Sequence, residues 1–292
     1  MKVIDRFEDC LNYFRQKDYS EKTIREYKRY FYGGISHSSI ANKKINKLKL
    51  TDIACLIEAG KRHGEFGSQR IVSVFRCYLH FLKDNGVKIP FDYRDLEVPR
   101  PPRKVKTILE KTELKRIFRQ VPVNTITDLR LRAFLELLFS TAMRLGEARS
   151  VNLKDIDFSK KEIKIKSSKG GDERIVYLTN RAIYWLRRYL KRRFDNCPAL
   201  FTTYLGTGRW EQPGNQIRQF FRSVSDKIIT PHTIRRTTAT LLLQNGADLK
   251  ATQIILGHKS ERTTLRDYIV CTQKKAKQIH QRIFAKILST GY

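Results

Sequence analysis

The side chains best able to do chemistry in this chain lie between Thr230 and Tyr268. Thr230 is a good N-cap and Pro231 a good first helical residue, so the spacing predicts a helix starting here. His232 and Arg235 then stand three apart on one face, close to the positive end of that helix. Hydrogen-bonding and cationic side chains beside unpaired backbone N–H groups form an anion site, and phosphate is the obvious anion. Further on, Leu256-Gly257-His258 places a glycine where a left-handed helix cap would be, which fixes the direction in which His258 leaves. Tyr268 follows on another helical segment.

A second set precedes it. The run Ser140-Thr141-Ala142-Met143-Arg144-Leu145-Gly146-Glu147-Ala148 follows an apolar helix read over Leu129–Phe139. A guanidinium at the end of a buried helix is poorly explained by solubility, because arginine is rarely buried unpaired. An ion pair between Arg144 and Glu147 is the purely structural account. Glu162–Lys166 and Arg174–Leu178 alternate as strands do, the second more loosely, and Lys169 sits in the Gly-containing turn between them. A lysine in a turn is ordinarily just solvated.

Taken together, these residues resemble the catalytic pattern of the tyrosine recombinases, the integrase and Xer-type site-specific recombinases. That pattern is an Arg box, then His-x-Leu-Arg, then Leu-Gly-His, then a nucleophilic Tyr. Here Ala142 replaces a Gly of the Arg box, Ile234 replaces the Leu, and Arg236 stands where His is common. Tyr268 lies one residue further from His258 than in the commonest Xer spacing. The resemblance implies catalytic roles for Arg144, Lys169, His232, Arg235, His258 and Tyr268, with Tyr268 as nucleophile and Glu147 as a support. It also implies double-stranded DNA as substrate, a homo-oligomer on DNA (a dimer per site, a tetramer in the synapse), and no metal or ATP.

Composition narrows the alternatives. Lys plus Arg number 59 against 29 Asp plus Glu, a formal charge of +30, which argues for a polyanionic partner. A ribosomal or otherwise RNA-bound protein would share that charge. The five cysteines are scattered, with no Cys-x-x-Cys pair, so neither a disulfide framework nor a zinc ribbon is indicated. Asp155-Ile156-Asp157 reads as turn chemistry, not as a metal site. Gly206-Thr207-Gly208 lacks the Gly-Lys-Ser/Thr ending of a phosphate loop. Asp5, Arg6, Glu8 and Asp9 interrupt any leader-like apolar run, so a soluble, cytoplasmic protein is expected. A type IB topoisomerase, a regulator with a decayed site and a metal-dependent nuclease are the competing functions.

The elements that must carry these residues divide at Val98–Lys106, where Pro99, Pro101 and Pro102 cannot continue a helix. Residues 1–98 read as four short helices, with apolar stripes through Val3–Phe14, Ile24–Phe31, Leu50–Ile57 and Ile71–Leu82. Lys22, Arg25, Lys43, Lys44 and Arg70 lie between the stripes. A small bundle with solvated charges would look the same, but the resemblance implies a core-binding domain gripping DNA. The linker, residues 99–106, carries Arg100, Arg103 and Lys104 as a basic strap. Residues 107–292 would be the catalytic domain, ending in an amphipathic segment at about 274–290 that either docks in cis on the helix bearing Leu241 and Leu242 or, as the resemblance implies, inserts into a neighbouring protomer. The expected fold class is mainly α with a small β-sheet, arranged as a two-domain clamp.

Overall fold

The computed structural model describes residues 1–99, 107–165 and 173–257, which fall in two compact units, Met1–Lys104 and Val105–Tyr292. The described part of the first unit has four α-helices: α1 (Phe7–Gln16), α2 (Glu21–Gly33), α3 (Ile53–Lys61) and α4 (Gly67–Asp84). Ser20 caps α2 as its type suggests, accepting the Thr23 N–H at 3.3 Å. The stripes at helical spacing turn inward: Phe7, Leu11, Ile24, Phe31, Leu56, Ile71, Phe75, Tyr78 and Leu82 form one buried cluster. Leu50 differs. It is 41% exposed in a short 3-10 turn, so the third stripe begins at Ile53 instead. At the α3–α4 crossing, a Cβ on Gly67 would sit 2.0 Å from the Gly60 carbonyl oxygen, so only glycine permits that approach.

The second unit starts with α5 (Lys111–Arg119), α6 (Ile126–Thr141) and α7 (Leu145–Ser150). A three-stranded antiparallel sheet follows, in the order β1 (Ile156–Asp157), β2 (Glu162–Ile165), β3 (Arg174–Tyr177). The helices α8 (Asn180–Leu190), α9 (Pro213–Val224), α10 (Pro231–Gln244) and α11 (Leu249–Leu256) complete the described part. The class is therefore mainly α with a small sheet, as expected. Among the described residues, no helix is long and apolar enough to cross a membrane.

Helix α6 is the spine of this unit. It begins a turn before Leu129, because Thr125 and Asp128 cap each other's backbone N–H groups at 3.1 and 2.9 Å. It is buried almost throughout, charges included, and each buried charge has partners. Glu136 binds Arg132 at 3.0 Å and Arg181 at 2.8 Å, while Arg130 donates to the Thr202 carbonyl at 2.6 Å. The Arg130 and Arg132 guanidinium groups each lie 4.3 Å from a tryptophan ring centroid, Trp210 and Trp185 respectively. Helix α8 stops at Leu190. The reason is Arg193, whose guanidinium folds back onto Asp195 and onto the carbonyls of Cys197, Ala199 and Leu200. Those bonds organise a loop and leave Phe194 95% exposed.

Candidate active site

The site is built where helices end. At the C-terminus of α6, Ala142 adopts the left-handed conformation, with φ 49° and ψ 21°. This turn releases the chain from the buried helix and starts α7 three residues later, with Arg144 at its N-cap. Glu147 holds the arginine at two points: one carboxylate oxygen accepts the Arg144 backbone N–H at 2.7 Å, the other accepts its guanidinium at 2.9 Å. The pairing that a structural account of Arg144 would require is thus present. Yet Arg144 keeps 46% of its side chain exposed, against 4% for Glu147, so one edge of the guanidinium faces outward.

Helix α10 begins as its first residues dictate. Thr230 accepts the Thr233 N–H at 3.2 Å, and Pro231 is the first helical residue. His232 is exposed on the first turn, whereas Arg235 is buried to 7%. Arg235 donates to the carbonyls of Ala142 and Leu256, the latter at 2.5 Å. Both are carbonyls at helix C-termini, which lack intrahelical partners and carry the negative end of the helix dipole. The buried guanidinium thus bonds two helix-end carbonyls, and it ties α6 to α11. Helix α11 ends at Gly257, with φ 61° and ψ 49°, and the Gly257 carbonyl accepts from Arg144 at 3.2 Å. Arg144, Glu147 and Arg235 thus converge on one junction, and His258 is the next residue in the chain.

One participant was missed by reading the sequence. Arg174, at the start of β3, grips both oxygens of Glu147 at 3.0 and 2.7 Å, with only 16% of its side chain exposed. A signal was available. Arg174 is in phase with Val176, a core residue, so the alternation of β3 puts a charge on the inward face, where a charge needs a partner. Burial would push the Glu147 carboxyl up. The Arg174 hydrogen bonds, the Arg144 backbone N–H and the two positive charges outweigh it and hold the pKa at about 2.

Lys169, His258, Tyr268, Arg100, Arg103, Lys104 and the segment at about 274–290 lie outside the described residues. In the first unit, Lys22, Arg25, Lys44 and Arg70 are exposed. Arg70 reaches Glu26 at 3.4 Å. Lys43 is half-buried and bound to Asp52 at 2.7 Å, so any phosphate there would compete with a carboxylate. Among the described residues, no group of three or more His, Cys, Asp or Glu side chains could hold a metal ion.

Residues 107–275 match the model of the phage integrase family. Tyrosine recombinase XerD of Oceanobacillus iheyensis is 30% identical over 94% of this chain and 96% of its own length. Among solved structures, the Tn1549 transposon integrase in complex with a circular intermediate DNA superposes with a TM-score of 0.78 at 17% identity, covering 97% of this chain and 99% of that one. A lambda integrase tetramer bound to a Holliday junction superposes with a TM-score of 0.68 at 16% identity, over 89% of this chain and 77% of that one.

Proposed function

The chain belongs to the phage integrase family and is a tyrosine site-specific recombinase, and from that premise we propose how its residues break and rejoin DNA. Tyr268 attacks a DNA phosphodiester, forming a 3′-phosphotyrosyl bond and releasing a 5′-hydroxyl. A tyrosine with its ordinary pKa of about 10 is mostly protonated at neutral pH, so it needs help at the site. Arg144 and Arg235 bind the non-bridging oxygens, whose negative charge grows in the pentavalent transition state. His258 donates a hydrogen bond to the same phosphate, and His232 assists removal of the tyrosine proton. Lys169 protonates the leaving 5′-oxygen. Glu147 does not touch the phosphate; it holds Arg144.

The observation that carries this reading is the meeting of Arg144 and Arg235 at the Gly257 turn, one guanidinium half open and the other fixed by helix-end carbonyls. Both guanidinium groups are hydrogen-bonded in place in the free chain, and donors positioned in advance are what electrostatic stabilisation of a transition state requires. The covalent bond conserves the energy of the phosphodiester, so ligation needs neither metal nor nucleotide.

Double-stranded DNA is the substrate, gripped by the exposed basic residues Lys22, Arg25, Lys44 and Arg70 and by the strap of Arg100, Arg103 and Lys104. The DNA complexes of the structural neighbours support this assignment, and the lambda integrase tetramer supports assembly of four protomers on two sites. The segment at about 274–290 would link protomers. A DNA substrate of this kind supports a cytoplasmic location, at the nucleoid.

The test is to incubate the chain with fragmented genomic duplex in excess chelator and without nucleotide. Detergent-resistant protein–DNA adducts should form, and sequencing the trapped DNA identifies the site. An absolute requirement for Mg²⁺ in adduct formation would refute the metal-free mechanism.

A further inference from the structure

We propose that Arg174 is a positioning residue of the cleavage site, acting on the scissile phosphate through Glu147 and Arg144; the proposal rests on the recombinase reading above. Three observations carry it. First, Arg174 meets both oxygens of Glu147, the same carboxylate that holds the backbone and the guanidinium of Arg144. Glu147 is thus clamped from two sides, and its freedom to swing, which would carry Arg144 with it, is removed.

Second, Arg174 packs directly on the turn that aims the next part of the site. A Cβ at Gly257 would lie 2.6 Å from its Cζ and 2.6 Å from its Nε, so guanidinium and glycine backbone are in close contact. The Gly257 carbonyl also accepts from Arg144. One side chain therefore braces both the Arg144–Glu147 pair and the residue before His258. The glycine is needed for two separate reasons here, its positive φ and this approach.

Third, the charges do not cancel. A lone Glu147 would neutralise Arg144 and blunt its attraction for phosphate. With Arg174 on the same carboxylate, one negative charge faces two positive ones, and the cluster keeps a net positive charge beside the open edge of Arg144. The Arg174 Nε is buried and has no hydrogen-bond partner among the described residues, so the side chain is held by its two-point carboxylate contact and by the glycine.

Single-turnover cleavage of the duplex recovered by covalent trapping with the wild-type chain tests this, with the affinity for uncleaved duplex measured in parallel. Arg174→Ala should slow adduct formation by about tenfold to a hundredfold while duplex affinity changes by no more than about twofold. Arg174→Lys, which keeps the charge but loses the two-point contact, should fall between. In combination with Glu147→Gln the losses should not multiply, because both substitutions release the same guanidinium. Adduct formation at the wild-type rate in Arg174→Ala, or multiplicative losses with Glu147→Gln, overturns the positioning role and leaves the recombinase reading standing. If Arg174→Ala fails to fold, Arg174→Lys decides, and a wild-type rate there overturns the proposal. A wild-type chain that traps no duplex at all overturns both.

Discussion

On the proposed mechanism, Glu147 acts on the chemistry away from the phosphate, by holding Arg144. Its carboxyl ordinarily titrates near 4.5 and is held at about 2 in the folded chain, where Arg174 and Arg144 outweigh the cost of burial. The folded value lies below the unfolded one, so the stabilisation is fully present above about pH 4.5 and is lost as pH falls toward 2. Urea denaturation of wild type and Glu147→Gln should therefore show a stability gap at neutral pH, on the order of 3 kcal/mol because buried charges are left unpaired, that narrows on acidification across that window. A gap independent of pH would mean that the carboxylate charge is not what Glu147 contributes. At the same scale, Arg144→Ala or Arg235→Ala should raise the cleavage barrier by about 3–4 kcal/mol, as expected on losing a transition-state donor, read as single-turnover rates. Arg235→Ala should also lower stability, since the carbonyls of Ala142 and Leu256 lose their donor, whereas Arg144 is exposed enough that its loss acts mostly on rate.

The elements explain which of these residues could be read in advance. Helix α10 was legible because Thr230 and Pro231 are local start signals, and Gly257 because a left-handed cap favours glycine. Arg144 was legible as a charge out of place after an apolar helix. Beyond the Arg144–Glu147 pair, local patterns could not supply the distant partners of these charges. Arg235 is satisfied by carbonyls of Ala142 and Leu256, 93 and 21 residues away, and Glu147 by an arginine 27 residues on. The end of α8 is set in the same way, since Arg193 bonds loop carbonyls instead of joining another helical turn. Ala142 carries a further consequence. At φ 49° a Cβ is tolerated at a cost, and a β-branched side chain would clash. Ala142→Val should destabilise the chain by about 2 kcal/mol or more, while Ala142→Gly should stay within about 1 kcal/mol, relief of strain being offset by the lost buried methyl and greater unfolded-state freedom. Equal effects of the two in denaturant titration would contradict the left-handed assignment.

For the whole molecule, the formal charge of +30 should make DNA affinity steeply salt-dependent. Each exposed cation that touches a phosphate should, when replaced by Ala, reduce the slope of log affinity against log salt by about one. Arg25→Ala should do so, and Lys43→Ala should not, because Lys43 is bound to Asp52. Assembly is a separate property. Ile279, Ile283, Phe284, Ile287 and Leu288 form one apolar stripe in the sequence, and burying such a stripe stabilises whatever it packs on by roughly 1.5–3 kcal/mol per side chain. Truncation after Gln278 should preserve binding to a single half-site and weaken cooperative two-site complexes and strand exchange. Two-site complexes forming at wild-type concentrations in gel-shift titrations would show that the segment packs on its own protomer.

The central claim is that Tyr268 makes the covalent bond. Tyr268→Phe removes one hydroxyl and leaves the arginines in place, so its affinity for the trapped duplex should match wild type within about twofold, the change expected when no binding contact is lost. Denaturing gels of the same reactions should show adducts for wild type and none for Tyr268→Phe, in chelator and without nucleotide. Adducts of undiminished yield in Tyr268→Phe would contradict the account and move the nucleophile to another tyrosine, with Tyr292 and Tyr177 the next to substitute.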